Sequence, residues 1–409
     1  MEKTSTATPT EYADRRSLYV LGGAILALAP VAVYARLGTV VLLIVTLIAQ
    51  PYWDRCLANL RWLASNTLVR IALVFAAWTL VSLFWTPHPN VLTWARVALV
   101  PIIGGLFIAA IGNLSAEDSR RLTWFTMQAG LVMLALLAME VFSHGAIFRL
   151  VVPDPGPIPA EQTSPVFEAA SRGAAVLAPL AFIFAYVIYK QTRRALLAIA
   201  FVAVALAVCF SSSMDAAWVA VAAGSIAFVV TRFAPRFALI GFCAGLSLYA
   251  LAAPLIHAQL SLDGMHDLKD QPWVGMESRI GIWHYAAGLI ADSPVIGHGF
   301  DSTRILALAA TNIPGTPWPS LPLHTHNNLL QIWLELGGVG ILVTIAFFIA
   351  TARALWPLTA RPVQLGISLA TITSTAVIAL ISFGIWQHWW LAVWMFAAAL
   401  ARLALREAH

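Results

Sequence analysis

The stretch "LHTHNNLLQIWLELGGVG" (residues 323–340) sets His324, His326 and Asn327 at the entry to an apolar helix. A neutral imidazole can take a proton from a hydroxyl near pH 7, and His326 is the side chain best suited to that task on its side of the chain. Cations are the second ingredient. Arg279 and Trp283 in "ESRIGIWHYAAGLIADSPVIGHGF" (277–300) are four residues apart and share a helix face. Arg172 in "SRGAAVLAPLA" and Arg96 in "TWARVALVP" stand at the mouths of two other apolar runs, and Arg304 follows Arg279 in the same loop. A guanidinium meets phosphate oxygens through a planar fork, so several together could neutralise a pyrophosphate. Taken singly, each arginine also reads as a flanking or snorkelling residue beside lipid, and His326 as a hydrogen-bonded interfacial residue.

The scaffold for these groups is written in the composition. Of the 409 residues, 60% are hydrophobic and only 11% charged, with a mean hydropathy of +0.82. A soluble domain could not bury that much apolar surface, so lipid is the solvent for most of the chain. Hydropathy predicts an all-α polytopic membrane protein with about twelve spans, each near the ~20 residues that a ~30 Å hydrocarbon core requires. They lie at 18–35, 37–53, 70–86, 97–114, 122–142, 173–189, 195–211, 216–231, 237–256, 328–352, 362–385 and 388–405, the second being the shortest fit. The first is read as a retained helix and not a cleaved signal peptide.

Basic residues give the orientation. With the N-terminus in the cytoplasm, alternate connections hold seventeen of the twenty-four Lys and Arg residues, a bias that follows the positive-inside rule. Both termini then face the cytoplasm. Arg36, Arg96, Arg149, Arg172, Lys269, Arg279 and Arg304 fall on the depleted outer side. So do the two long connections, 143–172 and 257–327. The chain divides into helices one to nine (1–256), a large outer loop between helices 9 and 10 (257–327), and helices ten to twelve with a tail (328–409).

Local signals refine this plan. Ser278 is placed to cap a loop helix that stops at Pro294, after which Gly297 and Gly299 permit a turn. That amphipathic helix is expected to lie on the outer surface with Arg279 at the headgroup boundary. Gly337 and Gly340 read as small residues for close helix packing, while Glu335 falls off the face of His326. Trp386, Trp389, Trp390 and Trp394 read as an interfacial aromatic belt. Cys56, Cys209 and Cys243 have neither disulfide nor metal-ligand spacing. Asp263, Asp267 and Asp270 are too generic for a divalent-metal site, so no metal and no cofactor are expected.

The segment "HNNLLQIWLELGGVG" (326–340) reads His-Asn, nine residues, Gly, two residues, Gly. It resembles the signature of the O-antigen ligase and O-antigen polymerase superfamily. "SRIGIWHYAAGLIADSPVIGHGF" resembles that family's Arg-x-x-x-Trp segment followed by Pro-x-x-Gly-x-Gly, and the span plan covers nearly the whole chain. The resemblance implies a helical GT-C-like fold and a glycosyltransferase that uses a lipid-linked donor. The donor would be undecaprenyl-pyrophosphate-linked O-antigen and the acceptor lipid A–core. The site would face the periplasm from the bacterial inner membrane, among membrane lipids and with no nucleic-acid partner. By position His326 corresponds to the family's essential histidine and Arg279 to an essential arginine. Arg172, Arg96, Asn327, Trp283 and Arg304 are the expected pyrophosphate and acceptor contacts. One departure stands out: family members often carry an arginine in a Ser-Arg segment after the seventh span, where "FSSSMDAAW" has Met214.

Pyrophosphate is a good leaving group, so arginines can stabilise the departing charge without a metal, and attack from the opposite face would invert the anomeric centre. A polymerase and a protein O-oligosaccharyltransferase share the motif; the latter usually carries a further C-terminal region, whereas this chain ends at "ARLALREAH". A transporter would bury ionisable groups near the bilayer midplane, and these apolar runs hold Glu140, Asp215 and Glu335 only near their outer ends. The orientation makes a prediction. Cysteines introduced at Pro155 and Leu262 react with a membrane-impermeant reagent from the periplasm, while those at Gln191 and Arg232 stay protected. The reverse labelling pattern overturns the orientation.

Overall fold

A computed structural model describes residues 9–35, 37–49, 61, 63–112, 114–151, 165–212, 214–260, 275–313 and 319–406. The expectations for Arg36, Cys56, Pro155, Leu262, Asp263, Asp267, Lys269 and Asp270 lie outside these residues. The chain is an all-α polytopic membrane protein. Its helices are α1 (Pro9–Tyr34), α2 (Gly38–Ile48), α3 (Thr67–Val81), α4 (Val91–Gly112), α5 (Ala116–Phe142), α6 (Ala146–Val151), α7 (Pro165–Thr192) and α8 (Ala195–Ser211). They continue with α9 (Asp215–Phe233), α10 (Pro235–Ala258), α11 (Gly275–Asp292), α12 (Thr303–Ala309), α13 (Asn328–Leu355), α14 (Pro362–Ile381) and α15 (His388–Leu405).

Among the described residues ten helices are long and apolar enough to cross a membrane, and α2 and α8 are shorter apolar helices. The 11 residues of α2 rise about 16 Å, roughly half of a hydrocarbon core. The second expected span is therefore not a full crossing within its described residues.

Small side chains decide which helix sits at the centre. In α7, Ala174, Ala175, Ala178 and Ala181 are fully buried, and a Cβ on Gly173 would stand 2.9 Å from Leu137. Helices can therefore approach α7 closely from several sides, and α1, α5, α8, α9, α14 and α15 all pack on it. At the end of the bundle away from His326, cations close helix C-termini. Lys190 donates to the carbonyls of Ala404 and Arg406 at 2.8 and 3.0 Å, and Arg406 donates to those of Ile111 and Leu114. Each thereby satisfies carbonyls that have no partner within the helix.

The helix α13 is broken near its start. Gly337 has φ 64° and ψ −165°, a conformation that is essentially restricted to glycine. The break frees backbone groups, and the loop 294–300 takes them up. His298 N–H donates to Leu334 C=O at 2.9 Å and Gly299 N–H to Glu335 C=O at 2.8 Å. In return Gly338 and Val339 donate to the carbonyls of Pro294 and Val295 at 2.8 and 3.2 Å. The indole of Trp78 donates to Leu336 C=O at 3.1 Å, and that of Trp85 to Gly297 C=O at 3.2 Å. Gly337 thus serves a helix break that docks the Pro-x-x-Gly-x-Gly loop, in place of the helix packing expected of it.

Two further expectations change. Ser278 lies within α11, whose first residue is Gly275, so it does not cap that helix. Trp386, Trp389 and Trp390 are buried in the bundle and form a core cluster in place of an interfacial belt. A Cβ on Gly297 would meet the backbone of Glu335 at 2.4 Å, and one on Gly337 the carbonyl oxygen of Val295 at 2.3 Å. Gly297→Ala and Gly337→Ala should each lose roughly 2 kcal/mol or more of stability, combining backbone strain with displaced hydrogen bonds. Gly241→Ala, where an added Cβ meets nothing within 4 Å, is the control. Thermal unfolding in detergent checks this, and equal midpoints for Gly337→Ala and Gly241→Ala would show that the break does not hold the fold together.

Candidate active site

The segment 324–327 is held between α10, α11, α13 and the turn after α14. Asn327 caps α13: its Oδ1 accepts from the N–H groups of Leu329 and Leu330, both at 3.1 Å, a device typically worth ~1 kcal/mol. Its Nδ2 donates to the Tyr249 hydroxyl at 2.6 Å, and the side chain is buried. The oxygen and one N–H of the amide are taken up by the fold, so Asn327 supports the site. Trp283, also buried, donates from Nε1 to Thr325 C=O at 2.9 Å. It fixes the backbone one residue before His326. The helix α11 that carries it packs its apolar residues Ile282, Ala286 and Ile290 with Leu330 and Leu334 of α13. It is therefore docked on the bundle, and not simply laid on its surface.

His326 adopts φ 55°, a left-handed conformation that few non-glycine residues hold without support. Support comes from the Thr325 hydroxyl, which donates to Asn327 C=O at 2.7 Å, and from the cap that follows. The ring Nδ1 lies 2.7 Å from the Ser382 carbonyl. A carbonyl only accepts, so Nδ1 carries the proton and the neutral ring leaves its lone pair on Nε2. Nε2 makes no hydrogen bond to any described residue. His324 packs edge-on against it, with ring centroids 4.2 Å apart and planes inclined by 64°, and its Nδ1 accepts from His326 N–H at 3.3 Å. Although His324 falls outside the sequence motif, the structure ties it to His326.

Electrostatics keep both rings neutral. Burial and then the charge of Arg279 push His326 down to about 4, against a smaller upward pull from the Ser382 hydrogen bond. Burial pushes His324 well below its ordinary value, with His326, Arg304 and Arg279 adding to the effect. Arg279 and Arg304 are thus close enough to the histidine pair for their charges to weigh on it. Burial lowers the pKa of Arg279 from its ordinary value, opposed by Asp215, and a guanidinium remains cationic even so. Asp215 directly follows Met214, so an acidic group faces Arg279 from the segment where the resemblance leads one to look for an arginine.

Arg304 pairs with Asp301 at 2.9 Å, its side chain still half exposed. Arg172 pairs with Glu168 at 3.1 Å on α7, and Arg96 lies near His388 at the start of α15. Of the four arginines expected to gather, Arg279 and Arg304 bear on the histidines. The partners shown for Arg172 and Arg96 are Glu168 and His388. Among the described residues no group of three or more His, Cys, Asp and Glu side chains is arranged to hold a metal ion.

Sequence reasoning missed Ser382, His324 and Glu335. The first acts through its backbone and leaves no trace in side-chain type. Glu335 is fully buried and accepts from Asp301 N–H at 2.6 Å, Gln331 Nε2 at 3.0 Å, Trp386 Nε1 at 2.5 Å and the Thr303 hydroxyl. The polar pair Gln331 and Glu335, four apart in an apolar helix, was the available signal.

Residues 205–345, from within α8 into α13, match the family model described as O-antigen ligase. A Rickettsia bellii protein named "Putative polysaccharide ligase" is 26% identical over 358 residues, covering 85% of this chain and 83% of its own. A Rickettsia conorii protein of the same description is 24% identical over 344 residues, covering 82% and 79%.

The titration of His326 is open to test. Removing the cation beside it in Arg279→Gln takes away a charge that disfavours the imidazolium, so the pKa must rise from about 4 toward the ordinary ~6.5. The sign for stability follows. Between about 4 and 6.5 the unfolded chain binds more protons here than the folded one, so this group destabilises the fold as pH falls through that window. Nitrogen-15 NMR of labelled histidine, with His326 identified by its absence in His326→Ala, measures both proteins. An unchanged or lower pKa in Arg279→Gln would remove Arg279 from the surroundings of His326.

Proposed function

We propose that the chain is an O-antigen ligase-type enzyme, a reading supported by the likeness of residues 205–345 to the O-antigen ligase family model and of most of the chain to the polysaccharide-ligase relatives, and that it transfers polysaccharide from undecaprenyl pyrophosphate to lipid A–core at the periplasmic face of the bacterial inner membrane. The observation that carries this reading is His326. Its proton sits on Nδ1 against the Ser382 carbonyl at 2.7 Å, its Nε2 lone pair is unengaged by any described residue, and Arg279 and Arg304 stand nearby.

The steps balance without a cofactor. The acceptor hydroxyl oxygen attacks the anomeric carbon of the donor while Nε2 of His326 takes its proton. The bond between that carbon and the pyrophosphate oxygen breaks, and both bonding electrons leave with undecaprenyl pyrophosphate. Arg279 and Arg304 stabilise the negative charge that develops there. Arg304 thereby fills the place of the arginine that Met214 does not supply. Attack opposite the leaving group inverts the anomeric centre. Because the guanidinium groups supply the charge stabilisation, transfer runs without a divalent metal.

Transfer by the purified protein, with lipid-linked donor and lipid A–core, tests the reading. His326→Ala should lose ~10²–10⁴-fold in rate with normal protein levels. Arg279→Lys should also be impaired, since an ammonium keeps the charge and loses the two-pronged geometry. Full activity in Arg279→Lys reduces that residue to general attraction, and loss of wild-type activity in EDTA, restored by added metal, overturns the metal-free route. Deleting the gene separates the products. Uncapped lipopolysaccharide with undecaprenyl-linked polymer of normal length marks a ligase, whereas single-unit caps mark a polymerase.

A further inference from the structure

The Glu335 carboxylate lies at the meeting point of three segments that the sequence keeps apart. From the turn after α14, Trp386 donates its indole N–H to Oε2 at 2.5 Å. From the outer loop, Asp301 N–H donates to Oε2 at 2.6 Å and the Thr303 hydroxyl to Oε1. From one turn earlier in α13, Gln331 Nε2 donates to Oε1 at 3.0 Å, while its own Oε1 accepts Ile385 N–H at 3.2 Å. Each carboxylate oxygen therefore receives two donors, one from the outer loop and one from a group that fixes the turn 382–387. That turn presents the Ser382 carbonyl to His326. The loop segment 301–304 carries Arg304, whose partner Asp301 donates its backbone N–H to Glu335.

We infer that Glu335 is a positioning residue whose buried carboxylate ties the turn that orients His326 to the loop segment that carries Arg304, so that proton acceptor and cation are held in one frame. The inference rests on the reading of His326 as the proton acceptor. A buried carboxylate with four donors is a costly arrangement unless every donor is met, and here two oxygens and four donors are matched. An apolar residue of the same size would fill the space without linking the segments. An amide would set its NH2 group against two of the donors, so Glu335→Gln releases one pair of contacts while keeping the shape.

Three measurements on the full-length protein in nanodiscs test this. The first is the tautomer of His326 by nitrogen-15 NMR of labelled histidine, assigned against His326→Ala. The wild type should show the proton on Nδ1 alone, and Glu335→Gln a mixture of the two tautomers. The second is a double-mutant cycle on the transfer rate. Glu335→Gln should lower kcat by roughly 10- to 100-fold in the wild-type background and by a clearly smaller factor in His326→Ala, where only the Arg304 side of the frame is left to disturb. The third divides the frame. Trp386→Phe keeps the ring against Phe300, 4.8 Å away, but removes the N–H, and should lower kcat. Thr303→Val releases the loop side and should raise KM for the lipid-linked donor.

A folded Glu335→Gln with the wild-type tautomer overturns the proposal, as does the same fractional loss in both backgrounds, which a purely structural role would give. Should Glu335→Gln not fold, Trp386→Phe and Thr303→Val carry the test, and identical kinetic defects in the two overturn it. Full transfer by His326→Ala sinks the assignment of the proton acceptor itself, and the tautomer measurement then decides the positioning role alone.

Discussion

A helix interrupted at membrane depth must hand its backbone hydrogen bonds to another part of the chain, because the hydrocarbon offers none. The break at Gly337, within a helix long and apolar enough to span, exchanges its freed groups with the loop 294–300, and much of the architecture around His326 follows from that exchange. The two glycine-containing motifs are the two halves of one joint. One supplies the freed carbonyls and N–H groups, and the other a backbone bare enough to reach them. Once the loop is pinned there, Asp301 and Thr303 fall within reach of Glu335, and Arg304 is carried to the histidine pair. The short segment of α13 ahead of the break, Asn328–Leu336, then stands on its own capped start, with His326 just outside it.

The same placement governs the chemistry. Arg279 suits an anion and at the same time holds His326 neutral, since a cation nearby disfavours a second one. The two effects reinforce each other in the proposed reaction. An anionic donor seated on the guanidinium offsets its charge, and the imidazole becomes more basic when there is a substrate to deprotonate. A histidine close to its ordinary titration in the empty protein would instead be partly protonated in mildly acidic surroundings.

Much of the plan was legible in the sequence because lipid imposes a length and a polarity that few segments satisfy by chance. The helices from α3 to α15 that cross the bundle fall close to the apolar runs. The 11-residue α2 is a departure, since a hydropathy window does not mark that this helix ends at Ile48. His326 and Arg279 were legible from residue type and spacing. Their supports were not. Gly337 looks the same in sequence whether a helix packs against it or breaks at it. Trp386 looks like a membrane-interface residue until its N–H is seen on a buried carboxylate. Glu335 does not share a helical face with His326, and it reaches the site through Gln331 and the turn after α14, a route that no single-helix projection contains. Asn327 and Trp283 stand where a ligand contact was expected, and their polar atoms are already bonded within the protein.

The partner of His326 Nδ1 is a main-chain oxygen, the Ser382 carbonyl. Every amino acid brings that oxygen to position 382, so the orienting contact is indifferent to side-chain replacement there. In a mutational scan this position would look permissive, although it sets which nitrogen of the histidine is free. Only changes that move the peptide plane, such as proline at the neighbouring position or a loosened turn, reach the contact. The reactive geometry is thereby insulated from drift at that site and exposed to alterations some distance along the chain.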